Sequence, residues 1–97
     1  MKIKWNKSAV KQLLDIIQYL EENDELEYAE RLESRILSKI KSIPILINTF
    51  QQDRLKREND GSFFAFEIDS YRISFRHLRD DIRILRIRHT SRRPYTR

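Results

Sequence analysis

The chain contains no cysteine and a single glycine, Gly61, among its 97 residues. Without thiols there is no disulfide scaffold, no cysteine-ligated zinc finger and no thiol nucleophile. A lone glycine also excludes a phosphate-cradling loop, because the P-loop and dinucleotide fingerprints need several glycines in close succession. With two prolines besides, no Pro- or Gly-rich linker can be drawn, and neither an internal repeat nor a low-complexity tract is present. No apolar run approaches the ~20 residues needed to span a bilayer. The opening Met1-Lys2-Ile3-Lys4-Trp5-Asn6 lacks the apolar centre of a signal peptide, so the expected location is the cytoplasm, with no membrane partner.

What remains is polar yet patterned. The apolar fraction is 39%, the charged fraction 36% and the mean hydropathy −0.71. Those values are too polar for a membrane protein, while Leu, Ile, Phe, Tyr and Trp recur too regularly for a disordered chain. This length suits one domain over residues 1–97 with one core. Charge is unevenly distributed. Residues 71–97 hold nine arginines and no lysine against Asp80 and Asp81, a balance of +7. Residues 1–70 balance to −2, so the last quarter supplies more than the whole net charge of +5. Guanidinium forks bind phosphate and carboxylate bidentately, which suits a polyanion or an acidic protein partner. For any single arginine, solubilising a sheet face is the simpler reading.

Residues 2–5 alternate as a short strand with Ile3 and Trp5 facing the core. Asn6 or Ser8 can cap a helix over about 8–22, striped by Val10, Leu13, Leu14, Ile17 and Leu20. Asn23 and Asp24 break it and can cap a second helix, striped by Leu26, Ala29, Leu32, Ile36, Ile40 and Ile43 and stopped by Pro44. Residues 45–62 are mixed and polar and close on the turn Asn59-Asp60-Gly61. Phe64, Phe66 and Ile68, then Tyr71, Ile73 and Phe75, alternate with their neighbours, and Ile82 to His89 makes a third strand. The three read as a meander. Adjacent Ile84 and Leu85 point to opposite faces, which marks the last strand as central and partly covered on both sides. The predicted architecture is α+β: an N-terminal strand and a two-helix hairpin packed on one face of an antiparallel sheet, in the order β-α-α-β-β-β. Strand period then sends Arg72, Ser74 and Arg76 to the helix-free face, with both arginines expected to be solvent-accessible.

The strongest chemical constellation is the end of the chain, where His89 lies among Arg86, Arg88, Arg92 and Arg93, with Tyr95 close by. Histidine suits proton transfer near neutrality, and arginines can hold a phosphodiester and stabilise charge developing on it. Such a set could cleave RNA without metal. The plainer reading has His89 ending a strand while the arginines contact a partner. His77, Asp80 and Asp81 cluster in a predicted turn, where acids are ordinary, so neither a metal nor another cofactor is expected. Trp5 reads as a core anchor.

Several segments in order resemble a known superfamily. They are Ile3-Lys4-Trp5-Asn6-Lys7-Ser8-Ala9, the helix end Ile40 to Pro44, Tyr71-Arg72-Ile73-Ser74-Phe75-Arg76, and Ile82-x-Ile84-Leu85-Arg86-Ile87-Arg88-His89-x-x-Arg92. Together they are similar to RelE/ParE toxins of bacterial type II toxin–antitoxin modules over nearly the whole chain. The resemblance implies a small cytoplasmic toxin neutralised by a cognate antitoxin, in a toxin–antitoxin hetero-oligomer. It leaves two targets open. ParE-like members block DNA gyrase and are not nucleases. RelE-like members cut messenger RNA on the ribosome, and on that branch His89, Arg72 and Tyr95 would be catalytic. Phe63 and Ala65 stand where that branch carries lysines, and the His89-x-x-Arg92 ending is more like ParE, so the ParE-like reading is favoured. Arg72, Arg76, Arg86, Arg88, Arg92 and Arg93 are the candidates for holding the target or a phosphate. A non-toxic basic binding module is the third alternative.

Overall fold

The computed structural model of the protein describes residues 1–91. Strand β1 (Lys2–Trp5) leads into helix α1 (Lys7–Glu22) and helix α2 (Leu26–Leu46). A 3₁₀ turn (Ile47–Thr49) and the two-residue strand β2 (Gln51–Gln52) follow, then β3 (Phe63–Ile68), β4 (Tyr71–His77) and β5 (Asp81–His89). The predicted α+β order holds, with two corrections to the sheet. It has five strands in the order β1-β5-β4-β3-β2, and β2 was hidden in the polar stretch 45–62. It is also mixed, since β1 runs parallel to β5 while the other pairs are antiparallel. The helical crossover between β1 and the meander returns the chain alongside its own start, which is what a parallel pair needs.

Each element follows its pattern. The Asn6 carbonyl accepts the amides of Ala9 and Val10 and so opens α1. Asn23 and Asp24 close α1 rather than cap α2, whose N-cap is Glu25. The Glu25 amide donates to the Leu20 carbonyl at 2.8 Å and the Asp24 amide to the Glu21 carbonyl at 3.2 Å. That pair of bonds is a Schellman ending, and it holds Asp24 at φ 59°. An aspartate there carries both a left-handed backbone and a negative charge at the negative end of the helix. Asp24→Gly is therefore expected to raise stability by about 0.5–1 kcal/mol, read as a higher urea midpoint at unchanged slope. Pro44 does not stop α2, which runs two residues further. Near the end of a helix the missing amide leaves one carbonyl, that of Ile40, without its intrahelical donor.

The helices cover one face of the sheet. Leu32, Ile36 and Ile43 of α2 meet Ile73 and Phe75 of β4 and Ile82, Ile84 and Ile87 of β5 in a core excluded from water. Each such side chain contributes about 1.5–3 kcal/mol by burial. Ile3 and Trp5 pack against this core as predicted. Phe50 joins it from the loop side, edge-on to Phe66 and Phe75 at 5.5 Å between ring centres.

A polar latch ties α2 to the β3–β4 turn. Tyr28 donates its hydroxyl to Asp69 at 2.6 Å, and Arg35 Nη1 donates to both oxygens of the same carboxylate at 3.0 and 3.1 Å. Desolvation, and then the bond to Asp69, push the Tyr28 phenol up to about 12. The Tyr28 hydroxyl and then Arg35 hold the Asp69 carboxyl below its ordinary range. Signs follow by linkage. The Tyr28 contribution is complete below its unfolded value of 10.0 and is lost as pH rises through about 12. The Asp69 contribution is present above its unfolded value of 3.8 and disappears as pH falls through its lowered folded value. Urea midpoints measured across the alkaline range should fall in the parent and flatten in Tyr28→Phe.

Candidate functional site

The helix-free face is built by strand register. Tyr71, Ile73 and Phe75 are buried against the helices, so Arg72, Ser74 and Arg76 point the other way, as predicted. Three cross-strand rows result. Glu67 lies opposite Arg72 and Arg72 opposite Arg88. Ala65 lies opposite Ser74 and Ser74 opposite Arg86. Phe63, Arg76, Arg83 and Lys4 share the third row, across β3, β4, β5 and β1.

Facing away from the helices leaves the Arg76 side chain 36% exposed but does not make Arg72 accessible. The Arg72 side chain is only 10% exposed, which corrects the expectation of an open guanidinium. One fork nitrogen meets Asp53 Oδ1 at 2.6 Å and the other meets Glu67 Oε2 at 3.1 Å. The Arg72 Nε is buried with no partner among the described residues. The cause is the segment 53–62, which folds back over this end of the sheet. The Asp53 amide donates to the Phe63 carbonyl at 2.8 Å, and Asn59 bonds both the Phe63 carbonyl and the Gly61 amide. Gly61 sits at φ 96°, a backbone that side-chain-bearing residues rarely adopt. The predicted Asn59–Gly61 turn is thus present and has a job, holding the loop against β3. Arg76 is also engaged. Its Nε donates to Ser62 Oγ at 2.9 Å, its fork reaches Asp60 at 3.5 Å, and its guanidinium lies 4.5 Å from the Phe63 ring centre. The Ser62 hydroxyl and amide, and after them Arg76, hold the Asp60 carboxyl below its ordinary value.

His89 lies on the other face. A bulge in β5 places Ser74 opposite Arg86 but Phe75 opposite Ile84, leaving Leu85 as the extra residue. The phase of β5 changes there, so Ile87 and His89 turn towards the helices. His89 pairs with Tyr71, their rings edge-on at 5.2 Å. Its Nδ1 receives the Ser91 amide at 3.1 Å, with Ser91 Oγ at 2.7 Å. A backbone N–H can only donate, so neutral His89 carries its proton on Nε2. The ring lines a cavity of about 560 Å³ between α1 and the end of β5, with Gln12, Asp15, Ile16, Tyr19 and Tyr71. Gln12 Oε1 accepts the Ile87 amide at 2.8 Å and covers part of the β5 edge that β1 does not reach.

The predicted site residues therefore separate. Arg72 and Arg76 are committed to the 53–62 loop, Arg86 is exposed on the helix-free face and Arg88 is half-buried. His89 stands across the sheet from Arg72, Arg76 and Arg86, while Arg88 lines the same cavity as the imidazole. Arg92, Arg93 and Tyr95 lie outside the described residues. Among the described residues no three His, Asp or Glu side chains converge as metal ligands, and no helix is long and apolar enough to cross a membrane. Sequence reasoning missed Asp53, nineteen residues from its arginine. Glu67 was within reach of it, since a two-residue turn after Ile68 puts Glu67 opposite Arg72.

Residues 3–94 match the family model described as the ParE toxin of the type II toxin–antitoxin system, parDE. Among solved structures, the chain is similar to one described as the chromosomal ParDE TA system from P. aeruginosa. The TM-score is 0.73 at 22% identity, covering 94% of this chain and 97% of that one, which is a likeness of fold. No curated protein matches.

Proposed function

The chain belongs to the family of ParE toxins of type II toxin–antitoxin systems, and from that membership we propose that it inhibits DNA gyrase in the cytoplasm and is neutralised by a cognate antitoxin. The observation that carries the choice of target is the separation of His89 from Arg72 and Arg76 on the helix-free face. Metal-free cleavage of a phosphodiester needs a group to take the 2′-hydroxyl proton, one to protonate the leaving oxygen, and cations around the phosphate, all within one site. Here the imidazole faces Tyr71 and α1, while Arg72 is bound to Asp53 and Glu67 on the opposite face. Phe63 and Ala65 offer neither a proton nor a charge beside it. A binding inhibitor needs no such convergence.

The antitoxin reading draws on α1. Val10 and Leu14 are 42% and 60% exposed at the four-residue spacing of one helix face, with Lys7 and Lys11 alongside. An apolar stripe edged by cations suits an acidic amphipathic segment that orders on binding. Supercoiling of relaxed plasmid by purified gyrase should fall when the chain is added. It should recover when the product of the adjacent reading frame, copurified after coexpression, is supplied. Unimpaired supercoiling at a large excess of the chain would remove gyrase as the target, and failure to copurify would remove the neighbouring product as the antitoxin.

A further inference from the structure

Arg83 occupies an interior strand on the helix-free face with a cation on either side, Arg76 opposite it on β4 and Lys4 opposite it on β1. Like charges directly opposite one another destabilise a sheet. Both neighbours have an acid in reach, Asp60 at 3.5 Å from Arg76 and Asp81 at 3.2 Å from Lys4. Arg83 reaches an amide oxygen instead, Asn6 Oδ1 at 3.4 Å. Arg86, exposed and opposite Ser74, has no carboxylate within ion-pair distance among the described residues. Local costs retained without evident compensation mark functional surfaces. We infer that this face, centred on Arg83 and Arg86 and flanked by Lys4 and Arg76, binds the sugar–phosphate backbone of duplex DNA.

The kind of nucleic acid follows from the aromatics. Single strands are held by bases stacking on exposed rings, and among the described residues this face has no free ring to offer. Trp5, Phe64 and Phe66 pack against the core, and Phe63 is capped by Lys56 at 4.7 Å and Arg76 at 4.5 Å. What the face presents is cations on neighbouring strands, with Lys4, Arg83 and Arg76 spread over about 10 Å. Such a surface reads charge without sequence. The inference goes beyond gyrase inhibition and holds whether or not gyrase is the target, because DNA alone is the ligand.

Fluorescence anisotropy of the purified full chain with short labelled duplexes of two unrelated sequences, over a salt series, tests it. Binding should be equal for the two sequences. In Arg83→Gln/Arg86→Gln the slope of log affinity against log salt should become shallower by about 2, from two phosphate contacts at about 0.9 each. Lys39→Gln/Lys41→Gln makes the same change of net charge on the helices and should leave the slope unaltered. Thermal melts check folding, and removing Arg83 relieves repulsion, so the first variant should melt no lower than the parent. Should it melt lower, Arg86→Gln alone carries the test with a change of about 1. The inference is overturned if the parent binds no duplex at low salt or if both double variants lose equally. It is overturned too if a matched single strand or polyglutamate binds more tightly than the duplex, polyglutamate assigning the face to an acidic protein.

Discussion

Replacing Arg72 by alanine is expected to destabilise the fold by about 3–5 kcal/mol, because it strands the Asp53 carboxylate in a site built for a guanidinium. Asp53 is 12% exposed and 2.6 Å from its partner, so the guanidinium supplies most of what compensates its lost hydration. The loss also removes the tie between β4 and the 53–62 loop, which would be expected to open around Arg54, Lys56 and Arg57. Arg72→Lys should recover only part of the stability, since an ammonium cannot reach Asp53 and Glu67 with one planar fork. Arg72→Met combined with Asp53→Leu should recover most of it. A buried ion pair is commonly replaceable by apolar side chains of similar volume, and half-exposed Glu67 stays solvated. Urea midpoints of the four proteins, with limited trypsinolysis at the loop, check this ordering. A change below about 1 kcal/mol in Arg72→Ala, the usual size for an exposed pair, would contradict the clamp. A loss of toxicity in Arg72→Ala would then report unfolding, not a lost contact with the target.

Phe75→Ala is expected to cost about 3–5 kcal/mol by a different route. Phe75 is fully buried in the central strand, stacked on Phe64 at 5.4 Å, edge-on to Phe50 at 5.5 Å and 6.3 Å from Phe66. Truncation removes its burial, leaves a cavity, and deletes ring pairs worth about 0.5–1.5 kcal/mol each beyond their area. Because Phe50 joins α2 to β2, the edge of the sheet should loosen with the core. Denaturant unfolding gives the magnitude, and amide exchange at Gln51 and Gln52 reports the edge. A domain of this size has about 5–15 kcal/mol in total, so either substitution consumes a large share. Phe75→Leu, which keeps much of the volume, should be markedly milder.

How much of this was legible beforehand depends on the distance over which each feature is decided. Helix stripes and strand alternation are local, so α1, β3, β4 and the face carrying Arg72 and Arg76 could be read directly. Pairing between distant segments has no local signature. The parallel contact of Lys2–Trp5 with β5 and the two residues of β2 came only with the tertiary structure. The accessibility of Arg72 was misread for the same reason, since Asp53 belongs to a loop that carries no period. His89 is the sharpest case. Adjacent Ile84 and Leu85 hinted at irregularity in the last strand. One extra residue in the β5–β4 register then decided which side of the sheet the imidazole takes. Strict alternation from Ile84 would have put it among the arginines, and the bulge puts it against Tyr71.

The most direct test of the account follows from that placement. The purified chain and its His89→Ala variant are added in parallel to a gyrase supercoiling reaction and to translating ribosomes whose message is mapped by primer extension. The chain is expected to lower supercoiling and to leave the message intact. Codon-positioned cuts that vanish in His89→Ala, with supercoiling unaffected, would contradict it and make His89 catalytic.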